Sequence, residues 1–234
     1  NSLHNIKGSN EVYNNNIELN NLNQLLNINN ANIDGTNYYL GIFGVVRDGY
    51  IKNIRISDAN IIISYSNEAI IHAGILVGYS NLAAKSSYNN IENVVIESST
   101  LSVTSSSTST DFDRIGGMIG YSENYKISKS YVKSSTIDLL SNSSSPSSIG
   151  GFVGYSNSSE IFSSYFSGEE SNKTYVNHNS VGFVGGFIGV MAGTKIRECF
   201  SVGNIYGGDS YGTIIGGLVG YSTGSSNEII NSFS

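Results

Sequence analysis

The side chains able to do chemistry are few and scattered. The closest carboxylate pairs are Asp111 with Asp113 and Glu169 with Glu170; the histidines are His4, His72 and His178, and the thiol is Cys199. Glycoside hydrolysis needs carboxylates facing each other across a sugar bond, and β-helix enzymes gather them on one wall from consecutive coils. No such set stands in this sequence, and both pairs read as solvated loop charge rather than as catalytic or calcium-binding groups. The histidines lack Cys or acidic partners at ligand spacing and fall near expected loops or the amino terminus, so neither a metal nor a cofactor is expected. Cys199 stands where other copies of a recurring string carry Ser130, Ser164 and Ser232, which makes it a small buried member of a column rather than a nucleophile. GFVGGFIG and AGTK lack the GxxxxGK[ST] spacing and the strand-to-helix setting of a phosphate loop. The chain is expected not to be an enzyme.

Charge and composition narrow the partners. A net charge of −6 and only 13% charged residues provide no basic groove for nucleic acid. The apolar runs, such as 69–73 and 183–192, are broken by Gly or polar residues and fall short of the ~20 that cross a bilayer, so no membrane span is expected. One cysteine excludes an internal disulfide. The chain starts at Asn1 without Met or a signal-like stretch, and is expected to be part of something longer. Sequons at Asn142, Asn157 and Asn172 fall in Ser-rich segments expected to be exposed turns, where N-glycosylation would occur in a secreted eukaryotic protein.

What must position these residues is a repeat. LGIFGVV, AGILVGYS, IGGMIGYS, IGGFVGYS, VGGFIGVM and IGGLVGYS end their glycines at Gly44, Gly78, Gly120, Gly154, Gly189 and Gly220, spaced 34, 42, 34, 35 and 31 residues apart. That is a solenoid period. Ile51, Ile91, Ile127, Ile161, Ile196 and Ile229 follow these glycines by 7 to 13 residues, and Ile61, Leu101, Ile137 and Ile205 come nine or ten further on, with Tyr175 or Val176 as the displaced equivalent. Short segments of Ile, Val, Tyr and Phe between Gly, Ser and Asn read as strands, with no helical period. The expected fold is all-β: a parallel β-helix, or β-solenoid, of about six coils of ~35 residues with three short strands per coil. Residues 1–39 form its Asn-rich opening strands and 40–234 its repeats, the last coil incomplete.

Columns of like residues should then run along the axis. Ile42, Leu76, Met118, Phe152, Phe187 and Leu218 form one, and Phe43, Val77, Ile119, Val153, Ile188 and Val219 its neighbour. Adjacent strand residues face opposite sides, so either the chain bends at the Gly or a loop covers one column. The repeated Gly marks either a positive φ or an approach too close for a Cβ. Tyr79, Tyr121, Tyr155 and Tyr221 make an aromatic column, and Lys126, Glu160, Lys195 and Glu228 alternate in sign, with Lys52 and Glu92 a similar pair, as devices that fix register.

The GGLVGYS string, followed by Ile and then NSFS, ECFS or SSYF, resembles the GLUG repeat of bacterial surface proteins and similar large extracellular proteins. The six copies and the upstream NIELNNLNQLLNINNANIDGTNYYLGIFG span nearly the whole chain; Leu40 and Ile75 replace one Gly in the first two copies, and Val190 and Met191 replace the YS. The resemblance implies a right-handed parallel β-helix at the cell surface or in a secreted setting. It implies a non-catalytic structural or adhesive module of a longer surface protein, or a filament subunit assembling end to end. The expected partner is a host or cell-surface protein or glycan, or a further copy of the chain. The alternative is a carbohydrate-binding or carbohydrate-active β-helix.

Overall fold

Every strand pairing in the computed structural model is parallel, as stacking of like coils requires. The structure describes residues 17–20, 27–29, 37–65, 70–83, 90–105, 112–141, 146–168, 174–178, 182–208 and 212–234, and among these there is strand and turn but no helix. The architecture is the expected all-β solenoid. One coil visits four sheets in order. In a central coil these are Asp113–Gly116 in sheet I, Ile119–Glu123 in sheet II, Lys126–Ser128 with Tyr131–Lys133 in sheet III, and Thr136–Ser141 in sheet IV. The next coil begins at Ser147–Gly150, back in sheet I.

This coil has five strands in place of the expected three, because the glycine string is two strands, not one, and a corner at Lys129–Ser130 cuts the sheet III segment in two. Gly117 and Met118 form a bend between Asp113–Gly116 and Ile119–Glu123, and the same bend recurs at Gly151–Phe152 and Gly186–Phe187. It also resolves the two adjacent apolar columns. Met118, Phe152 and Phe187 sit in the bend while Ile119, Val153 and Ile188 open the following strand, so consecutive residues both point inward and all six are buried. In the first copy the strand before the bend stops one residue earlier: Leu40 pairs with Ala73 and Phe43 with Val77, so Leu40 occupies the Ile115 column and does not replace a Gly.

The repeated glycines are close-approach positions, not positive-φ ones; the glycines with positive φ among the described residues lie elsewhere. A Cβ on Gly120 would come within 2.5 Å of Ala73 N and 2.7 Å of Gly78 O, and one on Gly154 within 2.5 Å of Ile115 N. Gly44, Gly78, Gly189 and Gly220 hold the same place in sheet II. The backbones of sheets I and II thus meet with no side chain between them.

The corners are built by other residues. Asn124, Ser158, Lys129, Ser163, Ser98 and Ser134, among others, adopt left-handed φ near 50°, and each is followed by a buried residue. That residue is usually a hydroxyl with two tasks. Ser130 Oγ donates to Ser128 O (2.8 Å) and accepts from Val94 N of the preceding coil (3.2 Å); Ser164 Oγ in turn accepts from Ser130 N (3.2 Å), and Ser232 Oγ from Cys199 N (3.1 Å). Ser99 with Ser135, and Ser159 with Thr194 and Asn227, repeat the device at two further corners. Buried backbone donors that face a turn instead of a strand are thereby satisfied. Local distortion costs about 1–2 kcal/mol per left-handed residue and is offset by these bonds.

The predicted columns stand in register. Ile51, Ile91, Ile127, Ile161, Ile196 and Ile229 follow one another across sheet III, and Ile61, Leu101, Ile137, Val176 and Ile205 across sheet IV, which selects Val176 over Tyr175. Strands Ile17–Asn20, Asn27–Asn29 and Asn37–Leu40 pair with Ile51–Ser57, Asn60–Tyr65 and Ile70–Gly74, so the described part of the opening segment continues the same sheets.

Candidate functional site: rings and charges along two faces

Two bands of chemistry-bearing side chains run parallel to the axis. The first is built where sheets I and II meet. Strand pairing lines up Tyr39, His72 and Arg114 in sheet I, and Tyr79, Tyr121 and Tyr155 in sheet II. The columns interleave: Tyr39 stacks on His72 (5.1 Å) and Tyr79 (5.2 Å), Tyr79 on Tyr121 (5.1 Å), and the Arg114 guanidinium lies over Tyr121 and Tyr155 at 4.8 and 5.1 Å. Beside the rings, Glu123 accepts from Tyr79 Oη (2.8 Å), Asn81 Nδ2 (2.5 Å) and Asn157 Nδ2 (3.3 Å). His72 is buried in strand Ile70–Gly74 rather than near a loop, and burial, aided by the Arg114 charge, lowers its pKa to about 3. It is therefore a neutral ring that accepts from Arg114 Nη1 (3.2 Å), not a general acid or base at neutral pH.

The second band lies on sheet III. Tyr131, Tyr165, Phe200 and Phe233 form a ladder with centroid spacings of 4.4, 4.6 and 5.3 Å, the rings tilted by 26°, 9° and 7°. Most ion pairs flank it. Lys126 meets Glu160 (3.8 Å), Lys195 meets Glu228, and Lys52 meets Glu92 (3.1 Å), as the alternating column predicts, whereas Glu160 and Lys195 align in register without forming an ion pair. Glu97 is held between Arg55 and Lys133, the latter at 2.7 Å, and the Lys133 bond foremost keeps its carboxyl below the usual range.

The chain matches no known protein family, no curated protein and no solved structure. Its reading thus rests on geometry. Within the sheet III ladder the inner ring faces of Tyr165 and Phe200 are taken up by neighbouring rings, and Tyr79 is likewise stacked between Tyr39 and Tyr121, which leaves less of the flat platform on which sugars stack. The carboxylates of Glu92, Glu97, Glu123, Glu160 and Glu228 are spent on cations or amides of adjacent coils. Among the described residues, no three His, Cys, Asp or Glu side chains gather as metal ligands. No helix among them is long and apolar enough to cross a membrane.

The remaining candidates fall as follows. Asp113 is not a solvated loop residue: it is buried at the start of a sheet I strand, where Oδ1 accepts from Ile71 N (3.0 Å) because that donor lies at the strand margin. Cys199 fills the hydroxyl slot of its corner, donating to Arg197 O (3.2 Å), and burial pushes its thiol up to about 11, far from a nucleophile's range. Asn157 is half-buried at the end of strand Val153–Asn157 rather than in an exposed turn. Its amide nitrogen is committed to Glu123, and Ser159 of its sequon is buried. Asp111, Asn142, Glu169, Glu170, Asn172 and His4 lie outside the described residues, and for His178 only the backbone, in strand Thr174–His178, is described.

Sequence reasoning missed Tyr39 and Arg114 as partners of the tyrosine column, because they belong to a separate sheet only once the glycine string is cut in two. It also missed Tyr125. This residue replaces the corner hydroxyl and reaches across two coils, donating to Val46 O (3.1 Å), and its substitution leaves the buried Ser80 hydroxyl of the neighbouring column without a partner. The signal was available: Tyr125 stands alone where Ser159 and Thr194 stand one and two coils later.

Proposed function

We propose that the chain is a non-catalytic structural or adhesive module of an extracellular or cell-surface protein, a rod that holds its polar corners and loops toward a partner protein or glycan. It serves within a longer surface protein or as a unit of a filament. The observation that carries this reading is where the charges go. Each described ion pair joins one coil to the next, so the acidic and basic groups lock register along the axis and converge on no cleft. Glycoside hydrolysis needs a different arrangement, two carboxylates facing each other across the sugar bond. The Ser-, Asn- and Thr-rich surface and the GLUG resemblance support the extracellular setting. Carbohydrate binding or turnover has less support, since most of the stacked ring faces that would receive a sugar are covered by one another.

Beads bearing the purified chain should be retained on whole cells or on a glycan array, with no products released from a polysaccharide panel. Release of reducing ends that copurifies with the chain and vanishes in Glu123→Gln would replace this reading with the carbohydrate-active one.

A further inference from the structure

Arg114 is the exception to the way this chain spends its cations. Every lysine among the described residues meets a carboxylate of a neighbouring coil, as do Arg55 and Arg197. Arg47 stands outside any ion pair too, but it is exposed to water, whereas Arg114 is half-buried. Its Nη1 reaches the His72 ring (3.2 Å), its buried Nε has no acceptor, and its guanidinium carbon lies over Tyr121 and Tyr155. Among the described residues nothing accepts from Nη2. Glu123, one strand later in the same coil, is turned to Tyr79, Asn81 and Asn157 instead. A neutral imidazole and two rings therefore hold the guanidinium in place without cancelling its charge.

The sequence makes room for it. In the sheet I column the residue after Tyr39, His72 and Arg114 is Ser148, which is short, fully buried and donates its hydroxyl to Gly154 O. Arg114 leans over that coil, onto Tyr155. The sheet II stack breaks at the same rung: Tyr155 stands at 82° to Tyr121, and Val190 follows it in the column. Rings resume in sheet I with Phe183, which faces Phe112 at 5.9 Å. The guanidinium is thus set in a gap between two groups of rings. Arginine among Tyr and Phe, with no lysine beside it, is the composition of the buried centre of a protein interface.

We propose that Arg114 and the rings beside it are a docking site for a partner protein, which presents a segment pairing an Asp or Glu with an adjacent aromatic or large apolar residue. Charge complementarity names the first contact. The carboxylate lies end-on against Nη1 and Nη2 in a two-bond fork, and its apolar neighbour packs against Tyr155 and Phe183. Binding supplies the counter-charge that every described lysine already has. An acidic sugar brings the same carboxylate but no apolar side chain for Phe183, which makes it the competitor to test. This proposal rests on the module reading above and gives its partner a face and a chemistry.

The test titrates the isotope-labelled full chain with the capped peptide Gly-Asp-Phe-Gly, its Asn twin Gly-Asn-Phe-Gly and methyl glucuronide, following the Nε–Hε resonance of Arg114. The Asp peptide should move that resonance to saturation and bind about tenfold more tightly than the Asn twin, as a charge-assisted contact allows. Arg114→Gln should erase the difference between the twins, and Arg114→Lys, which keeps the charge without the fork, should restore only part of it. Equal binding of the twins to the unaltered chain, or an Arg114 resonance that the Asp peptide leaves unmoved, overturns the proposal whether or not the variants fold. Tighter binding of methyl glucuronide than of the Asp peptide overturns it in favour of a glycan, and a dimer that Arg114→Gln disperses overturns it in favour of a second copy. Retention on cells undiminished by Arg114→Gln would sink this site and leave the module reading standing; failure of the unaltered chain to be retained, with the Asp peptide still bound at Arg114, would sink that reading alone.

Discussion

At the corner after Lys129, Ser163 and Glu198, one small side chain ties two coils together, and its two bonds explain why the position accepts so few residues. Ser164 Oγ satisfies both Phe162 O and the buried Ser130 N. Ser164→Ala should strand that donor and cost about 1–3 kcal/mol, read as a lower denaturant midpoint. Ser164→Cys should cost less than half as much, because Cys199 already fills the equivalent slot. Equal midpoints for the two variants would refute the slot. His72 makes a second prediction at this scale. Its folded pKa lies below the unfolded value, so between about pH 6.5 and pH 3 the unfolded chain binds the extra proton and stability falls as pH drops through that window. The His72 ring resonances should stay fixed from pH 8 to pH 5; a midpoint near 6.5 would show that the ring is not packed between Tyr39 and Arg114.

Strands register by what crosses between them, and the charges of sheet III belong to this scale. Glu160→Lys would place a third cation between Lys126 and Lys195 and should lower the melting temperature by a few degrees at low salt, the loss shrinking as salt screens it. Unchanged melting at low salt would remove the charges as register devices. The columns were legible in the sequence because burial selects Ile, Val and Phe at each rung independently of detail, and Ile127, Ile161 and Ile196 repeat at a nearly constant interval. The cut between sheets I and II was not. A glycine pair is equally compatible with a strand, a bend and a positive φ, and only the approach of Gly120 to Ala73 distinguishes them. Asp113 misled for a related reason: a polar residue beside a Ser/Thr run looks solvated until a strand-edge donor such as Ile71 N is seen to need an acceptor.

Taken whole, the molecule is a one-dimensional stack in which each coil leans on two neighbours, so protection should follow position along the axis. Amide hydrogens of Ile119–Glu123 and Val153–Asn157 should exchange slowest and those of Glu228–Ile230 at least tenfold faster. A flat profile would mean that the stack opens as one unit. The direction of the hydrogen bonds has a mechanical consequence. Rung-to-rung bonds such as Met118 N to Phe152 O (2.9 Å) connect successive coils, so they point along the stacking direction and carry an axial pull in series rather than in shear. A tethered chain of this build would yield coil by coil from an end, each release paying out roughly 110 Å of slack at ~3.3 Å per residue for a 34-residue spacing. Under tension it is a shock absorber whose step length is its repeat.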